Sequence, residues 1–366
     1  MIEVPFLEVG ATYHELKAEM DAAVMGILKG GWFILGPEVA RFEEEYARFS
    51  SADHCIGVGN GLEALHLGLL AMDIGNGDEV IVPSNTYIAT WLAVSQTGAT
   101  PVPVEPDEKT FNMDPGHIEE AITEKTKLIL PVHLYGQPAD MEPILEIAQN
   151  YNLNVLEDAA QAHGARYKGQ RLGAHGDAAA WSFYPVKNLG AFGDGGAITT
   201  NSEELCDTLR LLGNYGSKKK YVHELKGCNS RLDPMQAAVL SVKLRHLDEW
   251  NGRRKTIAAF YTENLTGTGL VLPEVPEWAD PVWHVYVVRT PQRDKVQEEL
   301  RDKGIGTLVH YPIPPHLQGA YRELPYEKGS FPIAETMADT MLSLPISPHL
   351  TEEQAEAVVT AIKSLC

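Results

Sequence analysis

What most constrains the fold of this chain is an alternation. From about residue 54 to residue 158, short apolar runs and amphipathic helical patterns follow one another. "HCIGVGN" reads as a strand ending in a turn, and "GLEALHLGLLAM" follows with Leu62, Leu65, Leu69 and Met72 on one helical face. "DEVIVPS" predicts the next strand, and "TYIATWLAVSQTG" a helix ended by Gly98. "TPVPVEP" is extended, and in "MDPGHIEEAI" Asp114 reads as an N-cap with Pro115 at the first helical position. "KLILPVHLYG" predicts a buried strand, "MEPILEIAQNYN" a helix, and "LNVLEDAA" a strand ending in acid. Such alternation belongs to a mostly parallel, doubly wound sheet, because a helix makes each parallel crossover. The fold class is α/β.

The pattern then changes. "GDAAAWSFYP" and "GGAITTN" predict two strands joined by a loop that carries Lys187. Asp233 and Pro234 start a helical stretch expected to run to about Leu265. Beyond it, "WHVYVVRT", the helix "RDKVQEELRDKG" and the strand "TLVHYP" predict a smaller α+β unit, and Thr351 and Gln354 are spaced as a capping box for a final helix. A length of 366 residues exceeds one compact core. The expectation is a large domain over 1–250 and a small C-terminal domain over 251–366.

Composition removes several function classes. A net charge of −20 opposes binding to nucleic acid or to an anionic membrane. It leaves room for a small anion, which responds to local N–H groups. No apolar run has the length of a membrane span. The start, "MIEVPFLEVGATYHELK", lacks a basic stretch followed by an apolar one, so the cytoplasm is expected. Cys55, Cys206, Cys228 and Cys366 form no C-x-x-C pair and read as free thiols. The 13 histidines show no H-E-x-x-H spacing, which argues against a zinc hydrolase, and no metal is expected. Ser182 lacks a G-x-S-x-G elbow and is a poor serine nucleophile.

Three features carry chemistry. Asp158 ends a central strand, where ligands of open α/β sheets bind. Alone it reads equally as a metal ligand, a ribose ligand, a partner for a protonated ring nitrogen, or an N-cap for "AAQAHG". "VGNGLEAL" joins strand, glycines and helix, so free N–H groups and the helix dipole point outward as a phosphate cradle. In "SFYPVKNLGAFGDGG", Lys187 stands among Tyr184, Pro185, Gly190, Gly193, Gly195 and Gly196. A lysine held in such a bent, partly dry segment has its charged form disfavoured and becomes nucleophilic. Cradle, strand-end acid and buried lysine are together the parts that hold and activate pyridoxal 5'-phosphate.

"NGLEAL", "PSNTYIAT", "EDAAQAHGA", "SFYPVKNLGAFGDGGAI" and "GCNSRLDPMQAA" together resemble the DegT/DnrJ/StrS family of sugar aminotransferases, in order and over nearly the whole chain. The resemblance implies a type I aminotransferase fold with a large mixed, mostly parallel sheet. It also implies a homodimer with active sites shared between subunits. By position it implies that Lys187 bears the cofactor, Asp158 pairs with the pyridine nitrogen, Gln161 sits over the ring and Tyr87 stacks on it. Ser182 and the backbone of Gly61 and Leu62 would hold the phosphate, with Asn229 reaching it from the neighbouring subunit. Leu62 stands where the family commonly has Thr, so a hydroxyl contact is lost there. His163 is expected to have a supporting role.

The stretch "GIGTLVHYPIPPHLQGAY" resembles members that aminate carbon 3 of a dTDP-linked 3-keto-6-deoxyhexose, with L-glutamate as donor. That subgroup implies hexose contacts at Tyr184, His310 and Tyr311. The basic turn "KKKY" precedes "GCNSRLD", which suggests Lys219, Tyr221 and Arg231 for the substrate diphosphate. The expected reaction is a ping-pong transamination in which Lys187 is both nucleophile and general acid–base. The rival readings are amination at carbon 4 or on a UDP or GDP sugar, a sugar dehydratase, and a regulator that binds the cofactor without catalysis. The dehydratase branch replaces the lysine by histidine, which Lys187 contradicts. No DNA-binding helix pair or basic face supports the regulator.

Overall fold

The computed structural model describes residues 2–173 and 175–365, so Cys366 lies outside the described residues. Among the described residues twelve strands occur in chain order: β1 (His54–Val58), β2 (Glu79–Pro83), β3 (Thr100–Val104), β4 (Thr126–Ile129), β5 (Asn154–Asp158), β6 (Arg166–Tyr167), β7 (Gln170–Arg171), β8 (Ala178–Ser182), β9 (Gly196–Thr200), β10 (Ala279–Asp280), β11 (Tyr286–Arg289) and β12 (Met341–Leu344). Seven form one sheet in the order β1-β9-β8-β5-β4-β2-β3. Only β9 runs against the rest, pairing antiparallel with both β1 and β8. The fold is α/β with a mostly parallel, mixed sheet. No described helix is long and apolar enough to cross a membrane.

Both faces of this sheet are covered, and alternate residues of each strand serve different cores. Cys55, Val155, Ala179, Trp181 and Ala197 pack into one apolar cluster. Their neighbours Ile56, Leu156, Ala178, Ala180 and Ile198 pack into the other. The helix Gly61–Ala71 contributes Leu65 and Leu69 to the second, as its spacing predicts. The helices Ile88–Thr97 and Met141–Tyr151 also form where expected, the first closed by Gly98 in the left-handed conformation.

Several expectations are corrected. Asp114 caps only a 3-10 turn, Pro115–His117, which runs into the short helix Ile118–Ala121. "KLILPVHLYG" is a strand only as far as Ile129, because Pro131 has no N–H for a ladder. The stretch after Asp233 is two helices, Pro234–Leu244 and Leu247–Leu265. The break at Arg245–His246 contains neither Gly nor Pro, and a tight His246 N–H to Lys243 carbonyl bond of 3.0 Å closes the first helix. "TLVHYP" is not a strand. Leu308 makes a single bridge to Ser343, and β11 pairs instead with β12, which the sequence reading did not mark. Thr351 and Gln354 do form the capping box. Cys55 and Cys206 are free and buried, and Cys228 is free and exposed.

The C-terminal apolar cluster takes in Ala258, Tyr261 and Leu265 from the second of those helices, Tyr286 and Val288 from β11, and Leu342 and Leu344 from β12. Leu247, at the start of the same helix, belongs to the core of the large sheet.

Candidate active site

Strand register gathers the site at one end of the sheet. Val58 pairs with Gly196, Gly196 with Ser182, and Asp158 lies beside Ala180. The ends of β1, β5 and β8 therefore open on the same edge, with the parallel strand β2 leading to Tyr87.

At β1 the chain turns through Gly59 and Asn60 into the helix Gly61–Ala71. The Asn60 side chain accepts from the Glu63 N–H at 2.9 Å, and the Ala64 N–H bonds the Asn60 carbonyl. The N–H groups of Gly61 and Leu62 remain without a partner among the described residues, at the positive end of the helix dipole. A Cβ on Gly61 would stand 2.6 Å from Ser182 Cβ, so only glycine lets the helix end approach β8 this closely. The two free donors and the Ser182 hydroxyl form a cradle for a phosphate.

"NVLED" ends in two acids that divide their roles. Glu157 is buried and fully engaged: it pairs with His133 Nε2 at 2.8 Å and accepts from the N–H groups of His175 and Gly176. Asp158 stands at the sheet end, 6% exposed. Its Oδ2 accepts from Thr90 Oγ1 at 2.9 Å and its Oδ1 from the Ala160 N–H at 3.2 Å. No helix follows it, only turns, so it is not the N-cap of a helix. Burial raises its pKa; the Ala160 N–H, Thr90 and the Lys187 charge oppose that rise.

The Lys187 loop joins Ser182 to Gly196. It is folded on itself by bonds from the N–H of Lys187 to Tyr184, of Ala191 to Phe183 and of Phe183 to Gly195, at 2.7 to 2.8 Å. A Cβ on Gly190 would lie 2.4 Å from the Pro185 carbonyl, which explains that glycine. Lys187 is half-buried. Loss of hydration lowers its amine to about 8, against the pull of Asp158. The amine is thus half neutral near pH 8, and neutral amine is the nucleophilic form.

Gln161 and Tyr311 form the next wall. The Tyr135 N–H donates to Gln161 Oε1 at 2.7 Å, and Gln161 Nε2 donates to the Tyr311 hydroxyl at 3.1 Å. The Tyr311 ring lies 5.1 Å from that of Tyr87. Burial pushes the Tyr311 hydroxyl well above its ordinary range, so it stays protonated. His310 bonds Ser343 through Nδ1 at 2.8 Å, and burial with the nearby Lys187 charge lowers it to about 4. His163 is fully buried, and both its ring nitrogens lack a hydrogen-bond partner. Burial, with the Lys187 charge adding, lowers it to about 3.

Asp158, Gln161, Lys187, His163, Tyr87, His310 and Tyr311 are therefore brought together, with Gly61, Leu62 and Ser182 along the same edge. Tyr184 follows directly on the sheet edge and is exposed. Lys219, Tyr221, Asn229 and Arg231 lie on the 214–231 segment, and none of them bonds to this cluster within one chain. Arg231 donates to Asn214 at 3.2 Å, and the Lys219 backbone bonds Val222 and the Ser217 hydroxyl. Asn229 is exposed and bridges Asn214 through its backbone. The sequence reading missed Thr90, whose hydroxyl orients Asp158 and in turn meets Thr86 at 2.9 Å. In "TYIAT", Thr90 lies in the first turn of the helix and Thr86 just before its N-cap, Tyr87. It also missed Asn188, which adjoins Lys187, and Tyr135 and His284, which only the folded chain brings near Gln161 and Asn188.

The residues fit pyridoxal phosphate on structural grounds: a cradle of free N–H groups, an anion at the opposite end, a lysine prone to lose its charge, and an imidazole with both nitrogens unpartnered. The DegT/DnrJ/EryC1/StrS aminotransferase family matches residues 14–363. The dTDP-3-amino-3,4,6-trideoxy-alpha-D-glucose transaminase of Streptomyces venezuelae is 55% identical over 98% of this chain and 95% of its own. The dTDP-3-amino-3,6-dideoxy-alpha-D-galactopyranose transaminase of Aneurinibacillus thermoaerophilus is 54% identical over 98% of each chain. A crystal structure of S. venezuelae DesV in complex with a ketimine intermediate superposes with a TM-score of 0.98 at 54% identity, covering 100% of this chain and 99% of that one. The chain belongs to the DegT/DnrJ/EryC1/StrS aminotransferase family and is a pyridoxal phosphate-dependent aminotransferase.

Proposed function

We propose that this aminotransferase moves an amino group from L-glutamate to carbon 3 of a dTDP-linked 3-keto-6-deoxyhexose, in the cytoplasm and as a homodimer. The observation that carries the catalytic part is the meeting of Lys187, its amine lowered to about 8, with the strand-end carboxylate of Asp158. The substrate rests on the two relatives above, both named for dTDP-3-amino sugars.

When bound, pyridoxal phosphate supplies a carbonyl carbon that takes up the amino group and a ring that draws electrons from it. This chain's residues do the rest. Gly61, Leu62 and Ser182 bind the phosphate. Asp158, oriented by Thr90, holds negative charge against the pyridine nitrogen and keeps it protonated. Gln161 would hold the ring hydroxyl, and Tyr87 would cover the ring. Lys187 would bear the cofactor, and its amine, once freed, would carry a proton on Nζ for the transfer from the donor and again for the transfer to the keto sugar. Tyr184, His310 and Tyr311 give the hexose neutral hydrogen-bonding groups, which suits sugar hydroxyls.

Lys219, Tyr221 and Arg231 meet the diphosphate, and Asn229 meets the cofactor phosphate of the partner subunit. Support for the dimer comes from an exposed apolar stretch, Trp32, Phe33, Ile34 and Leu35, with Met25 and Leu28 also exposed. Such a run is uncommon on an isolated molecule. The domain division at residue 250 belongs to the same reading. Incubation with labelled glutamate and a panel of dTDP-, UDP- and GDP-linked 3-keto and 4-keto sugars tests the substrate. The expected product carries the label at carbon 3 of the dTDP sugar, and amination only at carbon 4 overturns the assignment.

A further inference from the structure

Asn188 follows Lys187 and is buried, and its amide is held on three sides. Nδ2 donates to the Val282 carbonyl at 2.9 Å and to Asn251 Oδ1 at 3.0 Å. A carbonyl can only accept, so the orientation of the amide is fixed and Oδ1 is its acceptor. The third partner is His284 Nδ1, 3.2 Å from Oδ1. Facing an acceptor, His284 must carry a proton on Nδ1, which in the neutral ring leaves Nε2 bare. The ring is neutral, because burial and the charges of Lys187 and Arg254 hold it well below its ordinary range.

His284 is itself anchored. Its N–H donates to the Tyr135 carbonyl at 2.9 Å, and its carbonyl accepts from Arg254 at 3.3 Å. Tyr135 is the residue whose N–H orients Gln161. Asn251 donates onward to the His163 carbonyl at 2.9 Å. The residue beside Lys187 is thus tied into the walls that carry Gln161 and His163. Adjacent side chains leave the backbone in different directions, so a clasp on Asn188 fixes where Lys187 departs.

We propose that His284 is a positioning residue for Lys187: by donating from Nδ1 to Asn188, it holds the loop so that the lysine amine stands before Asp158. The proposal rests on the reading of Lys187 as the cofactor-bearing lysine. The titratable groups facing that amine are Asp158, His163, His284 and His310; Asp158 acts on it by charge, and the amine's own charge lowers the three histidines. Asp158 alone among them is an acid.

The test is competitive labelling of the apoenzyme with acetic anhydride over a pH series, with the Lys187 peptide quantified by mass. The wild-type midpoint is expected at about 8. His284→Phe keeps the ring's bulk but removes the donor, and the loosened lysine regains hydration. Its midpoint is expected to rise toward 10.5 by about one unit or more, and kcat to fall ~10-fold with KM for the keto sugar little changed. His284→Asn places an amide N–H where Nδ1 was and is expected to restore the midpoint to within about 0.3 units. A folded His284→Phe protein with the wild-type midpoint overturns the proposal, as does a His284→Asn protein no better than His284→Phe. If His284→Phe does not fold by circular dichroism, Asn188→Ala carries the same test: a raised midpoint supports the clasp and an unmoved one overturns it. Labelling needs neither cofactor nor sugar. A wild-type enzyme inactive on the keto sugar would therefore sink the substrate assignment and leave this result standing.

Discussion

The loop 183–196 and the segment 214–231 both carry residues assigned to the reaction, and they are built in opposite ways. In the first, Phe183, Asn188, Leu189, Gly190 and Ala191 are buried, and Lys187 leaves a backbone pinned by its own turns and by the Asn188 amide. In the second, the backbone is anchored at its base by Tyr215 to Cys228 and Cys228 to Leu212 bonds. No side chain between residues 217 and 229 is buried, and Tyr221 is 83% exposed. Lys187, Asp158 and Gln161 at the cofactor end come from one chain, with Asn229 of a neighbouring subunit proposed to join them. The substrate end presents polar and aromatic groups that a single chain leaves in solvent. The difference teaches that the lysine and its acid are positioned within the subunit, whereas the second segment is left exposed for something else to cover.

The largest expected effect tests the first region. Lys187→Ala should lower turnover by ~10⁴-fold or more, since it removes both nucleophile and proton carrier, while binding of pyridoxamine phosphate persists. Single-turnover kinetics with spectroscopic titration of the cofactor measure both. Full turnover in this variant would end the assignment. Asp158→Asn should cost ~10²- to 10³-fold in kcat, because a neutral amide no longer keeps the ring nitrogen protonated. A loss confined to KM would show that Asp158 only binds.

A pH series sharpens the claim that the first region is sealed. His163 titrates at about 3 when folded and near 6.5 when unfolded. The unfolded state therefore binds its proton first as pH falls, so stability is intact above about 6.5 and declines below it. Between pH 7 and pH 5 this group should remove about 2 kcal/mol of unfolding free energy. In urea titrations the wild type should lose that amount of stability relative to His163→Phe between pH 7 and pH 5. A parallel pair of curves would mean that His163 is hydrated.

The smaller effects belong to the second region. Lys219→Ala and Arg231→Ala should each raise KM for the dTDP sugar about tenfold, the loss of one charge-assisted contact, with kcat nearly unchanged. Tyr221→Ala should raise it only about threefold. If these variants cut kcat as deeply as Asp158→Asn, the contrast between the two regions fails.

Much of the fold was legible because the alternation of strand and helix is local, as are the turn residues of the Lys187 loop. The strand-end position of Asp158 was legible for the same reason, although its partner was not. The break at Arg245–His246 carries no Gly or Pro signal, and the pairing of β11 with β12 joins residues some 55 apart in the chain, so neither could be read from neighbours. The 307–312 stretch looked like a strand by composition, yet beyond the Leu308–Ser343 bridge it has no partner to complete a ladder.

By itself the sequence determined that a lysine would sit in a tight, glycine-bent loop between two strands, with an acid at the end of a third and a helix start beside them. Backbone preference and hydrophobic period act over a few residues and leave a local trace. Only the tertiary structure decided that the lysine would be half-buried beside Asp158, that three neutral histidines would lie near it, and that Asn188 would be clasped by His284. Desolvation and long-range hydrogen bonds depend on which distant segments meet, and those meetings leave no mark on any short stretch of chain.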